Sequence, residues 1–336
     1  MARIRNRFLF LFSTSGILRG ESVMSAELSD LLCVENKHAK DSHPYLILCM
    51  GIPEGKTTKD NKQYGRAMRH KDVLLCPIGA LGFYLLLRFE LTREFDRQNC
   101  PDFRVNSEWF DIKLLINYGT NHGRSGITPA DARKHEIQHQ CYIKTIKEIQ
   151  KEKGIISNHY LHIGRVLGTH RLQYQELLDD HIRQLGNWST TVRDDCYSTK
   201  LPLTPLRAAA GFTDADGMYY SPRTAVEPPE SLVKSIFPFA EEQLRLVKEE
   251  RAEKMADKGG TYMATAVGFL ELVIKLRPII LQDAAAIKVL HPQRFDNHPL
   301  FESQGHFTGL FQSPEFIVST IIARYSVLHD IFVLMS

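Results

Sequence analysis

The first ninety residues alternate between continuous apolar runs and polar loops, a pattern that predicts helices around a small sheet. The short run "YLILCMG" predicts a strand, and "KQYGRAM" predicts its antiparallel partner beyond a polar loop. Helices are predicted over three apolar stretches: "MARIRNRFLFLFSTS", which ends near Gly16, "ESVMSAELSDLL", and "PIGALGFYLLLRFEL", in which Pro77 takes the first helical position.

The middle of the chain predicts further helices. "TPADARKHEIQHQCYIKTIKEIQKEKG" has Thr128 as its N-cap, Pro129 at the first helical position and Gly154 as its terminator. Two or three shorter helices are expected between residues 159 and 186. Residues 92–127 show no clear pattern.

Pro-marked residues 201–230 predict a linker with a short helix. Two long helices follow it, "FAEEQLRLVKEERAEKM" as a mainly solvated helix and "TYMATAVGFLELVIKLRPIILQDAAAIKVL" as a packed one. We therefore expect a mainly α fold with a small antiparallel sheet. Its expected divisions are residues 1–200, the linker at 201–230 and a C-terminal helical region at 231–336.

Composition places the chain among ordinary soluble proteins, with 43% hydrophobic and 24% charged residues. The net charge of +3 permits a nucleic-acid partner without requiring one. The basic residues cluster between Lys56 and Lys71, where Asp60 is the single acidic residue. The six cysteines form no C-x-x-C pair, which favours reduced thiols. No apolar run is long enough for a membrane span, so no membrane partner is expected.

Two short patterns suggest ligand sites, but each lacks a feature that such a site needs. In "GIPEGKTT" only three residues separate Gly51 from Gly55, whereas a nucleotide phosphate loop needs four, so we expect no nucleotide. In "HEIQH", His135 and His139 are four apart on a predicted helix, a spacing that can bind zinc. No third ligand is evident, so we interpret the pair as a solvated helix face and expect no metal or other cofactor.

A third constellation points to phosphodiester chemistry. In "HIGR", His162 and Arg165 are three residues apart and would share a helix face. Arg19 stands at a predicted helix start, Lys56 lies in the polar loop, and Tyr197 follows in a polar run. Arginines stabilise the negative charge of a phosphoryl transition state, histidine moves protons, lysine protonates a leaving hydroxyl, and tyrosine serves as the nucleophile.

The order Arg, Lys, His-x-x-Arg, LG-x, Tyr resembles that of the tyrosine recombinases. The chain is most similar to the fungal branch that contains crypton transposon recombinases and the recombinase-like DNA-binding domain of the centromere-binding kinetochore protein. The resemblance covers nearly the whole chain and implies a recombinase catalytic-domain-like fold with extra C-terminal helices. It rests on "ILRGES", "KTTKDNKQYGRAMRHKDVLLCPIGALGFYL", "HIGR", "QLGNW…CY", "LRAAAGF", "SPRTAVEPPE" and "LQDAA".

The resemblance also implies residue roles. Most recombinases have histidine where this chain has Asn187, and asparagine can donate a hydrogen bond but carries no proton at neutral pH. The chain begins almost at the first catalytic arginine, so we expect the N-terminal clamp domain of recombinases to be missing. The implied catalytic residues are Arg19, Lys56, His162, Arg165 and Tyr197, and the implied DNA-binding residues are Arg19, Lys56, Lys59, Lys62, Arg66, Arg69, Arg165, Asn187 and Trp188.

These features together predict a nuclear protein that binds double-stranded DNA, as a homodimer or a higher oligomer, mainly through phosphate contacts. One alternative is an active recombinase that cuts and rejoins DNA through a 3′-phosphotyrosine at Tyr197, although Asn187 and the missing clamp argue against full activity. The other is a helical structural or interaction module in which Tyr197 is a packing aromatic and the arginines are surface charges.

Overall fold

The protein is mainly helical with one small sheet, as the computed structural model shows. The structure describes residues 1–36, 45–52, 63–117, 133–154, 158–188, 201–212, 219, 221–258 and 263–291. The helices are α1 (Ala2–Ser15), α2 (Gly20–Met24), α3 (Pro77–Thr92), α4 (Asn106–Trp109), α5 (His139–Lys153), α6 (Ile163–Tyr174), α7 (Asp179–Leu185), α8 (Leu203–Ala209), α9 (Glu230–Ser235), α10 (Phe239–Lys258) and α11 (Ala264–Leu290).

The sheet consists of β1 (Leu31–Asn36), β2 (Tyr45–Ile52) and β3 (Gln63–Met68), all antiparallel, with β2 in the centre. The predicted pairing of β2 with β3 is confirmed. Cys49 lies opposite Arg66 in that pairing.

The first strand corrects the prediction of a second helix over residues 21–32. Helix α2 ends at Met24, and the chain continues through a 3₁₀ turn at Leu28–Asp30 into β1. The turn is held by a capping box, in which the Glu27 backbone N–H donates to Oδ2 of Asp30 at 2.8 Å. The backbone hydrogen bonds of β1 go to β2 instead of a helix, so the tertiary pairing overrides the local pattern.

The helix predicted from Thr128 to Gly154 is also shorter than expected. Its C-terminus is confirmed, since Gly154 adopts a left-handed φ of 68° directly after α5. The predicted N-terminus was wrong, because the described residues 133–138 precede the helix, which begins at His139. There Ile137 donates its N–H to the Leu115 carbonyl at 2.9 Å. The predicted cap residues Thr128 and Pro129 lie outside the described residues. His135 therefore does not share a helical face with His139.

The largest core lies between the sheet and the helices α1, α3 and α11. Helix α11 is packed, as predicted, against β1, α3 and α10. Helix α10 is mostly solvated, also as predicted. The described part of the C-terminal region therefore shares a core with the N-terminal elements. A cluster of aromatic rings fills one end of this core: Phe89, Phe95, Phe103, Trp109, Phe237, Phe239 and Phe269.

A smaller core lies on the other face of the sheet and positions the candidate site. Ile47 of β2 and Met68 of β3 pack there with Leu172 of α6, Ile182 of α7 and Leu206 of α8. Helix α8 packs on β3 in this core, and the residues that follow α7 also reach β3.

The described residues bear on the presence of membrane-spanning helices and on the state of the cysteines. None of the helices in that part of the chain is long and apolar enough to cross a bilayer. The described cysteines, Cys33, Cys49, Cys76, Cys100 and Cys141, are free thiols.

Candidate functional site

The chain turns sharply after α1 and exposes Arg19. Ile17 has a φ of 52° and is fully buried, and Leu18 is also buried, whereas Arg19 points into solvent at the start of α2. The Gly20 N–H then donates to the Leu161 carbonyl at 3.0 Å. A Cβ at Gly20 would lie 2.7 Å from that carbonyl oxygen, so the contact requires glycine. Arg19 is thereby held beside the segment that leads into α6.

Helix α6 lies close against α1 and brings two further predicted site residues to this place. A Cβ at Gly168 would come within 2.2 Å of the Thr14 carbonyl oxygen, so only glycine permits this approach of the two backbones. His162 is exposed at the N-cap position of α6, and Arg165 lies in its first turn. The predicted shared face of His162 and Arg165 is therefore consistent with the start of α6.

Arg165 is partly buried and positively charged next to another positive charge. Its guanidinium carbon lies 4.6 Å from the ring centroid of Trp188, and its Nη2 donates to the Gly186 carbonyl at 3.4 Å. Burial lowers the pKa of Arg165 to about 10, and the positive charge of Arg19 adds to this effect. No carboxylate among the described residues forms an ion pair with Arg165. The site thus holds two guanidinium groups that no carboxylate of the described residues neutralises.

The residues after α7 connect this site to β3. Asn187 adopts a left-handed φ of 52°, and its Nδ2 donates to the Tyr64 carbonyl at 3.0 Å. Arg66 donates to the same carbonyl at 3.4 Å, and its guanidinium carbon lies 5.7 Å from the Tyr64 ring centroid. Arg66, Asn187 and Trp188 are therefore gathered at one end of β3, next to the first turn of α6.

Arg69 does not join this group. It is 5% exposed, and its guanidinium donates to Gln282 at 2.6 Å and forms an ion pair with Asp283, both on α11. The prediction that Arg69 is a surface residue for DNA therefore needs correction, because its charge is already neutralised inside the protein. Within the basic stretch from Lys56 to Lys71, Arg69 is therefore an internal residue, whereas Arg66 is more exposed.

The remaining predicted residues, Lys56, Lys59, Lys62 and Tyr197, lie outside the described residues, and their roles stay predictions. Sequence reasoning missed one participant, Tyr64, whose carbonyl accepts hydrogen bonds from both Asn187 and Arg66. The strand alternation of "KQYGRAM" does place Tyr64 and Arg66 on one face. The backbone acceptor itself, however, has no signature in the sequence.

Comparisons with known proteins identify a family. The sequence profile described as centromere DNA-binding protein complex CBF3 subunit, domain 2, matches residues 1–316. A search of curated proteins finds no match. The profile match spans nearly the whole chain, including every described element and the site residues Arg19 and Arg165. The chain therefore belongs to the family of the centromere DNA-binding protein complex CBF3 subunit, domain 2.

Proposed function

We propose that this protein binds duplex DNA through its phosphate backbone. The surface responsible consists of Arg19, Arg66, His162, Arg165 and Trp188, and is called the Arg165 surface below. The chain belongs to a family of centromere DNA-binding subunits. This membership supports DNA as the partner and the nucleus as the location. Phosphate contacts supply most of the affinity of such proteins and carry no direct sequence information.

The unpaired charge of Arg165 carries this proposal. Burial and the nearby Arg19 charge lower its pKa, which means that the positive form is held at a cost in free energy. A phosphate between the two guanidinium groups relieves that cost, because each arginine can donate a bidentate pair of hydrogen bonds to phosphate oxygens. The first turn of α6 adds partial positive charge, since its leading amides have no partners within the helix.

The surroundings of Arg165 prepare it for this role. The Trp188 ring lies against its guanidinium, and the Gly186 carbonyl accepts one of its hydrogen bonds. Asn187 anchors this turn to β3 through the Tyr64 carbonyl. A side chain held in place before binding loses less conformational entropy when a phosphate arrives.

Asn187 favours binding over strand cleavage. By the sequence resemblance, Asn187 stands where most tyrosine recombinases have histidine, and an amide does not transfer protons at neutral pH. One amide hydrogen is also used in the bond to Tyr64. DNA binding is therefore the function proposed here. A recombinase fold, a crypton origin, an oligomer on DNA and a nucleophilic role for Tyr197 stay predictions.

A titration of Arg165→Met with a fluorescent duplex tests the proposal. Methionine keeps the packing against Trp188 and removes the charge, so we expect affinity to fall about tenfold or more, in line with the ~1.5–3 kcal/mol of a charged hydrogen bond. The matched control is Arg93→Met, because Arg93 is 74% exposed and already pairs with Asp96. Equal affinity of the Arg165 variant and the wild type contradicts the proposal. Absence of any wild-type binding at low salt instead supports an interaction module.

A further inference from the structure

Three lysines on α5 form an exposed band of positive charge. Lys144, Lys147 and Lys151 are all exposed. At about 100° of rotation per residue, they fall within roughly 60° of one another around the helix. Their side chains form no ion pair with any carboxylate in the described part of the chain. We call these three residues the lysine strip.

Six other lysines in the described structure behave differently. Glu148 is at helical spacing from Lys144 and Lys151, yet it forms an ion pair with neither of them. No carboxylate in the described part of the chain therefore neutralises the charge of the lysine strip. By contrast, six other lysines each pair with a carboxylate: Lys113 with Glu27, Lys134 with Asp111, Lys234 with Glu230, Lys248 with Glu271, Lys254 with Glu250, and Lys275 with Glu35.

The lysine strip adjoins the Arg165 surface. The Lys147 ammonium lies 4.9 Å from the ring centroid of Tyr160. Tyr160 is followed by Leu161, whose carbonyl accepts the hydrogen bond that holds the start of α2, and then by His162. The side of the strip formed by Lys147 therefore faces the segment that also positions Arg19. Glu148 and Glu152 lie on the other side of the strip, away from Tyr160, by the same helical rotation.

We propose that the lysine strip is a second contact surface for the DNA backbone, continuous with the Arg165 surface. This proposal rests on the proposed function and adds further phosphate contacts to those of the Arg165 surface. From Lys144 to Lys151 the helix rises about 10 Å, enough to follow several charges along a duplex. Lysine ammoniums act there as mobile point charges, so this contact is independent of base sequence.

The test compares two triple variants with the same loss of charge. The first is Lys144→Gln with Lys147→Gln and Lys151→Gln. The control is Lys234→Gln with Lys248→Gln and Lys254→Gln, on α9 and α10, where each lysine is already paired. Glutamine keeps nearly the same helix propensity as lysine, so both variants should fold, and their melting temperatures check this.

Each released phosphate contact removes about 0.9 from the slope of log K against log salt. We expect the strip variant to lose roughly 2–3 from the magnitude of that slope and to bind duplex DNA at least tenfold more weakly at low salt, with the control unchanged. If the strip variant binds like the wild type while Arg165→Met weakens binding, the lysine strip does not contact DNA, and the proposed function still holds. Equal weakening by the control also overturns the lysine strip as a DNA contact, because net charge then explains the effect. If neither Arg165→Met nor the strip variant alters binding, both proposals fail.

Discussion

Two buried or partly buried arginines, Arg88 and Arg165, have very different surroundings in this protein. Arg88 is fully buried and donates to Glu94 at 2.6 and 2.9 Å and to two backbone carbonyls. Arg165 has Arg19 as its charged neighbour and one carbonyl 3.4 Å away. The first arrangement satisfies a buried charge, whereas the second gives the charge no carboxylate partner among the described residues. A residue kept at a cost to stability is a candidate for function.

This contrast predicts opposite effects of the same substitution on stability. Arg165→Met should leave the melting temperature of the free protein unchanged or raise it, because it removes a partly buried charge that has a like-charged neighbour. Arg88→Met should lower the free energy of unfolding by about 3–5 kcal/mol, because it strands the buried Glu94 carboxylate. Thermal and urea denaturation of both variants check this. A large loss of stability in the Arg165 variant would show that its role is structural.

At the scale of elements, the contact between α1 and α6 sets the geometry of the site. Gly164 and Gly168 on α6 let its backbone approach Ser13 and Thr14 of α1. Since α1 leads to Arg19 and α6 carries Arg165, the spacing of these two helices fixes how far apart the two guanidinium groups lie.

Gly168→Ala tests this dependence. The new Cβ would lie 2.2 Å from the Thr14 carbonyl oxygen, so the helices must separate, at a cost of about 1–3 kcal/mol. We expect weaker DNA binding together with the loss of stability, although Gly168 itself does not reach DNA. The control is Gly268→Ala on α11, whose new Cβ meets Leu32 at 3.2 Å, and which should leave DNA affinity unchanged. Unaltered affinity in Gly168→Ala would show that the helix spacing does not control the site.

Elements marked by a long apolar run in the sequence were predictable. Elements that depend on hydrogen bonds to segments far away in the chain were not. The sequence predicted α1, α3 and β2 because each has an apolar run with clear ends, and it predicted β3 as the strand that returns after a polar loop. It missed β1 and the start of α5, since their hydrogen bonds go to segments elsewhere in the chain. Arg69 was misplaced for the same reason, as its partner Asp283 is 214 residues away.

The whole molecule is joined by a buried network centred on Asp283 of α11. One oxygen of this carboxylate accepts bonds from Arg69, just after β3, and from Arg223. Burial alone would raise the pKa of Asp283, but the two arginines outweigh it and lower the pKa overall. Arg223 also donates to the His70 carbonyl, and Arg171 of α6 donates to Nε2 of the His70 ring. Helix α11 is thereby connected to α6, the helix that carries Arg165.

This network predicts a loss of stability in mild acid. Burial and the neighbouring Arg171 lower the pKa of His70 well below its usual value, so the folded protein keeps this ring neutral. The unfolded chain takes up a proton near pH 6.5, and the contribution of His70 is therefore complete above that pH and declines as the pH falls toward the folded pKa. We expect the melting temperature to drop between pH 7 and pH 5, before Asp283 titrates. His70→Gln should flatten this decline, and an equally steep decline in that variant would contradict the assignment.

The most direct test of the central claim is the salt dependence of duplex binding, measured for the wild type and for Arg165→Met between about 50 and 200 mM salt. The account predicts a steep linear fall of log K with log salt for the wild type. For the variant it predicts weaker binding and a slope smaller by about 1, since one phosphate contact is lost. Wild-type binding that is absent, or the same affinity and slope in both proteins, would contradict the claim that Arg165 holds a DNA phosphate.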